Sequence, residues 1–248
     1  MAGHYRLAFL FGFQFISNSF IRNLVERLNP IQCRIIKSKT KALKFKLQKA
    51  EPKSVVLNVK KNGKEYIWQG NPKVWGSHAP VLFPIVGGLK NNTYYFENKT
   101  YQLPTHGFIR RNNDLTVTAH ETNLLVLQLA SNEKTKAVYP FDFIFQLSFE
   151  LLSHQLKISH QVINTGDKKM YFSLGTHQAF ICPLEDAKQY EDYHLQFETI
   201  ELLRTWNLDE NGQIKEEGDI IMDQAQKLQL HPHVFDQDAL IFKSLKSK

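Results

Sequence analysis

Apolar and polar positions alternate with a period of two along most of the chain, from about Ile35 onward. The clearest run extends from Phe143 to Leu151, in which every odd position is Phe or Leu and most even positions are polar. Such alternation is typical of a β-strand that buries one face. The apolar positions Leu156, Ile158 and Val162 predict a second strand directly after it.

Turn signals divide the alternating region into short segments. Asn62-Gly63 joins residues 55–59 to 65–68, and Asn211-Gly212 joins residues 204–208 to 213–214. Asn-Gly tolerates the positive φ angles that two-residue hairpins require. Asn98-Lys99 and Thr165-Gly166 stand at similar junctions. The pattern predicts about a dozen short strands with neither a βαβ unit nor an internal repeat, so the predicted class is all-β.

Residues 1–34 differ from this pattern and are predicted to be an extension of unknown role. Leu7 to Ile16 is apolar but well short of the ~20 residues that span a membrane, and no small-residue cleavage site follows it to indicate a signal peptide. Ser19 is a candidate cap for an amphipathic helix over residues 20–28, which Asn29-Pro30 ends. Such a helix packs on the domain or lies on a membrane, and packing is the commoner outcome.

Composition fits one large β domain over residues 35–248. The chain has 248 residues, of which 42% are hydrophobic and 12% aromatic, and β-sandwiches often form single domains of about 200–250 residues. Cys33 and Cys182 make neither a disulfide framework nor a metal-ligand spacing. We therefore expect no zinc site and a reducing, cytoplasmic setting.

The net charge of +7 comes partly from residues 34–53, where eight Lys and Arg residues stand against Glu51 alone. A basic run of this kind can contact nucleic acid or an anionic surface. However, apolar and basic residues alternate from Leu43 to Leu47, which favours a solvated strand face. Because no nucleic-acid motif accompanies the charge, we expect no nucleic-acid partner.

Two histidines have neighbours that suggest chemistry. His106 stands in the run Leu103–Arg110 before Gly107, and His177 follows Gly175-Thr176 and precedes Phe180. Imidazoles transfer protons near neutral pH, Arg110 offers a guanidinium fork for sugar hydroxyls, and the Phe180 ring would form a flat wall for a sugar face. The alternative is a pair of buried histidines that bond only to the backbone. A third ligand does not accompany His231 and His233, so we predict no metal site.

At these residues the chain resembles the aldose 1-epimerase (galactose mutarotase-like) family, and most of all its bacterial LacX-like branch. The resemblance runs from about residue 35 to residue 248. Five segments agree with it in order and approximate spacing, and they cover residues 65–69, 79–90, 104–110, 175–184 and 235–242.

The resemblance implies an antiparallel β-supersandwich with a sugar cleft and an enzyme that interconverts the α and β anomers of an aldohexose. His177 would be the general acid that protonates the ring oxygen, and His106 would bind the sugar beside it. Asp238 would accept hydrogen bonds from sugar hydroxyls, and Arg110 would line the cleft. The resemblance implies no cofactor and no metal.

One departure keeps other functions open. The family's general base is a glutamate on a later strand, usually followed by Pro-Trp, and no such segment follows His177 in this sequence. We therefore expect the domain to lack its last strands. The alternatives are a non-catalytic sugar-binding or regulatory domain, or an inactive gene fragment. A phosphosugar epimerase is a further alternative, which would need cations at the cleft mouth, and Lys90 and Arg111 are the candidates.

Overall fold

The fold is described from a computed structural model of the chain. It describes residues 6–15, 43–50, 54–73, 75–152, 155–236, 239–243 and 245–247. The predicted helix over residues 20–28 lies outside these ranges. The described residues form antiparallel sheets, which confirms the predicted all-β class. None of their helices has the length and apolar character needed to cross a membrane.

The described part of the chain contains fourteen strands, one short helix, α1 (Glu133–Val138), and 3-10 turns at 90–92, 109–111 and 190–192. The strands are β1 (Arg6–Phe15), β2 (Leu43–Ala50), β3 (Ser54–Lys61), β4 (Lys64–Glu65), β5 (Val81–Leu82), β6 (Thr93–Phe96), β7 (Lys99–Gln102), β8 (Thr116–His120), β9 (Leu124–Ala130), β10 (Phe143–Leu152), β11 (Gln155–Asn164), β12 (Phe172–Ile181), β13 (His194–Leu208) and β14 (Ile214–Gln229).

The largest described sheet has the order β11-β10-β9-β8, with β10 in its interior. Phe143, Phe145, Leu147 and Phe149 are buried on β10, and the residues between them are half-buried. The period of two therefore predicted both the strand and its buried face. The strand predicted from Leu156 to Val162 is also confirmed as part of β11.

A second sheet has the order β1-β12-β5 and carries His177 on its middle strand. β1 pairs with β12 in an unbroken register from Arg6 opposite Ile181 to Phe15 opposite Phe172. The apolar run near the N-terminus thus forms a strand, which the sequence pattern did not predict. Residues 6–15 of the predicted extension are therefore part of the sheet that holds His177.

One aromatic cluster forms the main core. Phe83 is fully buried at its centre, and its ring packs against the rings of Phe143, Phe145 and Tyr139. Phe172, Leu174 and Phe180 of β12 pack against the same cluster. Since side chains alternate along a strand, the residues of β12 at odd numbers, including His177, point to the other face. Truncation of a buried Phe in such a core typically costs about 3–5 kcal/mol.

Three of the predicted turns connect paired strands, and one of these three is shifted by one residue. Asn62 and Gly63 have φ angles of 56° and 81° between β3 and β4, as expected for the predicted hairpin. β13 and β14 meet at the predicted Asn211-Gly212 turn. Between β6 and β7 the positive φ angles lie at Glu97 and Asn98, one residue before the predicted pair. The predicted strand in the basic run is confirmed as β2, which pairs with β3.

A buried carboxylate holds the chain's last described residues against the long β13–β14 hairpin. Glu201 on β13 is 1% exposed. Its carboxylate accepts hydrogen bonds from the backbone N–H of Ser247 at 2.6 Å and of Lys246 at 3.2 Å, and from the Thr199 hydroxyl at 3.2 Å. Burial works to raise the pKa of Glu201, but these hydrogen bonds outweigh it and lower the pKa below 4.5.

We expect Glu201→Gln to lower the free energy of unfolding by about 1–3 kcal/mol at neutral pH, because two partly buried N–H groups lose a charged acceptor. A lowered folded-state pKa stabilises the protein above the unfolded pKa, and this contribution disappears as the pH falls through the folded-state value. The difference from wild type in urea unfolding should therefore shrink as the pH falls below the unfolded-state pKa of glutamate, about 4.3. Glu216→Gln, at an exposed carboxylate beside Lys215, is the control. A difference that does not change with pH would contradict the assignment.

Candidate active site

His177 is fixed by backbone pairing on both sides of β12. Its N–H donates to the carbonyl of Pro80 at 2.9 Å. The two residues before it, Gly175 and Thr176, pair with β5, and β1 runs along the opposite edge. The strand is therefore rigid where it presents the imidazole.

His106 lies in a tight bend that contacts the backbone of Phe83, a residue of the aromatic core. His106 and Gly107 have φ angles of 67° and 69°, which lie in the left-handed region. Gly107 forms a bridge with Phe83, and the N–H of Phe108 donates to the Phe83 carbonyl at 3.0 Å. A Cβ atom on Gly107 would lie 2.2 Å from that carbonyl oxygen. Glycine is therefore required at position 107 by the closeness of the two backbones.

Two reciprocal hydrogen bonds orient the His106 ring. The His106 N–H donates to the Gly87 carbonyl at 2.8 Å, and the Gly87 N–H donates to His106 Nδ1 at 3.0 Å. Because Nδ1 is an acceptor here, the neutral ring carries its proton on Nε2. The structure thus assigns His106 as a hydrogen-bond donor through Nε2.

The bend and the strand bring the two imidazoles together, as the sequence predicted. The ring centroids of His106 and His177 lie 6.1 Å apart, and the ring planes are nearly perpendicular, at 81°. Residues 71 positions apart in the sequence therefore share one site.

Burial shifts both imidazoles toward the neutral form. Burial is the main cause that lowers the pKa of His106 to about 4, and the charges of Arg110 and His177 add to it. Burial also lowers the pKa of His177; its own backbone opposes this shift, and Arg110 acts with burial. A site with two neutral imidazoles offers one N–H donor and one acceptor per ring.

Arg110 lies near both imidazoles, whereas Lys90 lies in an exposed turn. Arg110 lies in the 3-10 turn 109–111, half-buried and close enough to influence both imidazoles. Burial, with the neighbouring charge of Arg111, lowers the pKa of its guanidinium. Lys90 is exposed in the turn 90–92, three residues after Gly87.

Two other predicted contacts have different outcomes. Phe180 packs against the aromatic core, three residues from His177 and therefore on the opposite face of β12. The prediction that Phe180 forms a wall of the sugar cleft beside His177 is therefore wrong, because side chains three positions apart on a strand point to opposite faces. Asp238 lies outside the described residues.

The sequence pattern missed Trp75 as a member of the site. The Trp75 indole stacks on the His177 imidazole with a centroid distance of 4.8 Å and an interplanar angle of 25°. Trp68 and Trp75 are visible in the sequence as part of an aromatic run, but nothing in their spacing connects either ring with His177. A signal for Trp75 was its position in a polar, Gly- and Pro-containing loop, where core aromatics are uncommon.

Among the described residues, no three His, Cys, Asp or Glu side chains converge as metal ligands. His233 Nδ1 lies 2.8 Å from a carboxylate oxygen of Asp236, and both side chains are exposed. The pair is a surface contact.

The family model of aldose 1-epimerase matches residues 50–243, so the chain belongs to the aldose 1-epimerase family. This match confirms the resemblance drawn from the histidine segments. It covers both histidines, Trp75 and Arg110.

Relatives of this chain include LacX proteins of Lactococcus lactis subsp. lactis, plasmid and chromosomal, each 29% identical over 196 residues. Those alignments cover 76% of this chain, and the chain spans 65% of the length of these curated relatives. Among solved structures, a galactose mutarotase related enzyme from Lactobacillus acidophilus is 30% identical with a TM-score of 0.72, covering 84% of this chain and 68% of that one. A galactose mutarotase-like protein from Lactobacillus casei is 26% identical with a TM-score of 0.70, covering 82% and 69%. These neighbours confirm the predicted fold.

We expect Gly107→Ala to destabilise the protein much more than Gly63→Ala. Both positions have positive φ, but a Cβ at Gly63 meets open space, whereas one at Gly107 meets the Phe83 carbonyl. Backbone strain alone costs about 1–2 kcal/mol, so Gly63→Ala measures that part and the excess at Gly107 measures the steric clash. Urea unfolding of the two variants makes the comparison. Equal losses of stability would contradict the close approach of Gly107 and Phe83.

Proposed function

We propose that the chain binds an aldohexose between His106 and His177 and interconverts its α and β anomers by opening the ring. The observation that carries this proposal is the pair of imidazoles whose ring centroids lie 6.1 Å apart, in partly buried surroundings. This separation suits two groups that contact neighbouring oxygens of one sugar. Membership of the aldose 1-epimerase family supports the same substrate class.

In the proposed reaction His177 acts as the general acid. Its protonated ring gives a proton to the ring oxygen while the C1–O5 bond breaks, and the proton of the anomeric hydroxyl leaves to a base. The product is the open-chain aldehyde with a hydroxyl at C5. Rotation about the C1–C2 bond and the reverse steps close the ring on either face of the carbonyl. Proton transfer by a positioned side chain typically contributes about 100–10,000-fold in rate.

His106 has a different role, because its Nδ1 is occupied by the Gly87 N–H. It stays neutral at pH values well above 4 and donates from Nε2 to a sugar oxygen. Arg110 binds sugar hydroxyls through its guanidinium and lowers the proton affinity of both imidazoles. Asp238 and Lys90 remain proposed sugar contacts from the family resemblance. We also propose a reducing, cytoplasmic setting, because the two cysteines of the sequence do not make a disulfide framework.

We expect His177→Ala to reduce the rate of mutarotation by at least about 100-fold, because it removes the proton donor to the ring oxygen. His106→Ala should instead raise KM with a smaller change in kcat, because it removes a hydrogen bond made to the sugar throughout the reaction. Polarimetry on freshly dissolved α-glucose and α-galactose measures both effects. His231→Ala, an exposed histidine away from the pair, is the control. Wild-type kinetics in both site variants would overturn the assignment.

A non-catalytic sugar-binding domain is the second candidate. Among the described residues, no hydrogen bond or ion pair joins a carboxylate to either imidazole, and neutral imidazoles are suited to hydrogen bonding. Calorimetric titration with the same sugars separates the two functions. Saturable binding with a mutarotation rate equal to that of buffer would favour the second candidate.

Adding a small carboxylate tests whether the chain itself supplies the general base. If the site lacks a carboxylate beside the anomeric hydroxyl, we expect formate to increase the protein-dependent rate several-fold, because it accepts the hydroxyl proton within the cleft. Polarimetry at increasing formate and constant ionic strength measures this. His177→Ala should show no such increase, which controls for catalysis by formate in solution. An active protein with no response to formate would mean that the chain supplies its own base.

A further inference from the structure

A loop over residues 68–80 crosses the edge of β12 and is fastened to it at both ends. At its start, the Trp68 N–H donates to the Ala179 carbonyl at 2.9 Å. At its end, the Pro80 carbonyl accepts from the His177 N–H at 2.9 Å. The loop is therefore anchored to the residue that carries the imidazole and to a residue two positions further on.

Within this loop Trp75 is held by three hydrogen bonds. Its N–H donates to the Asn71 carbonyl at 2.7 Å, and its carbonyl accepts from the Asn71 N–H at 3.0 Å and from Trp68 Nε1 at 2.9 Å. Gly70 has a φ angle of 75°, and a Cβ there would lie 2.9 Å from the Gly76 carbonyl oxygen. The backbone on both sides of Trp75 is thus closely packed, which restricts where the Trp75 ring can lie.

The two imidazoles are oriented in different ways. His106 is oriented by the Gly87 N–H at Nδ1. His177 Nδ1 is buried and has no hydrogen-bond partner within the described part of the chain. Catalytic imidazoles are usually oriented by a hydrogen bond at the nitrogen that does not face the substrate. Among the described residues, the ring that lies face to face with the His177 imidazole is the stacked indole of Trp75.

We propose that Trp75 is the positioning residue for His177, and that its indole face orients the imidazole in place of a hydrogen bond at Nδ1. This inference rests on the proposed role of His177 as the acid. The stacked indole covers one ring face, and His106 meets the ring at a steep angle. Rotation of the imidazole would break the stack, so the ring plane is fixed.

The same contact stabilises the protonated imidazole. An aromatic face attracts a cation through its negative π cloud. The groups facing His177 that act against protonation are Arg110, by its charge, and the buried surroundings. His106 stays neutral well above pH 4 and adds no charge. Trp75 therefore increases the fraction of His177 that can act as an acid.

The test compares Trp75→Phe with Trp75→Leu. Both side chains are smaller than Trp and apolar, but only Phe retains a π face. We expect Trp75→Leu to lower kcat about 10-fold or more with little change in KM, and Trp75→Phe to retain most of kcat. Trp206→Leu is the control. Trp206 lies on β13, outside this site, and the ammonium group of Lys243 lies over its indole ring. This variant should leave kcat unchanged. Equal kcat values in the Phe and Leu variants would overturn the proposal.

A second measurement does not depend on catalysis. NMR titration of the imidazole protons should give a His177 pKa about 0.5–1 unit lower in Trp75→Leu than in Trp75→Phe, because the cation–π contact is lost. His160, buried on β11 in the other sheet, should titrate identically in both variants. Equal His177 pKa values would overturn the proposed role of Trp75. An expected pKa difference without mutarotation would instead support Trp75 and reject the proposed function.

Discussion

The contact between Gly107 and Phe83 links the core of this protein to its site. Phe83 is fully buried among aromatic rings, and its carbonyl accepts from the N–H of Phe108. A backbone this close to the core admits no Cβ at position 107, and the bend takes left-handed angles at His106 and Gly107. The same bend then exchanges two hydrogen bonds with Gly87. The orientation of His106 is therefore a direct consequence of how the aromatic core is packed.

The sequence pattern predicted those features that depend on residues close together in the chain. The alternation from Phe143 to Leu151 predicted the buried face of β10 because side chains of a strand alternate, and Asn62-Gly63 predicted a turn because both residues tolerate positive φ. The family resemblance predicted that His106 and His177 meet. The same rule of alternation, applied to Phe180, would have placed it in the core, three positions from His177 and on the other face.

The sequence pattern did not predict contacts between residues that are far apart in the chain. Phe recurs at every second position from residue 9 to residue 15 of β1, but the pairing of β1 with β12 joins segments more than 150 residues apart, which no local pattern predicts. Trp75 and His177 are about a hundred residues apart, and their stacking depends on how a loop is fastened to β12. The burial of Glu201 likewise depends on donors from Lys246 and Ser247, more than forty residues away.

The lowered pKa of His177 sets two effects against each other. Burial makes the protonated imidazole a stronger acid, but it also reduces the fraction that is protonated at neutral pH. Proton transfer is most efficient when the donor's pKa lies near the working pH. The stacked indole of Trp75 acts against burial because a π face favours the cation, and unlike a carboxylate it adds no opposing charge beside Arg110. In the proposed mechanism, an aromatic ring at this place would therefore orient the acid and keep it protonatable, and would leave the guanidinium available for the sugar.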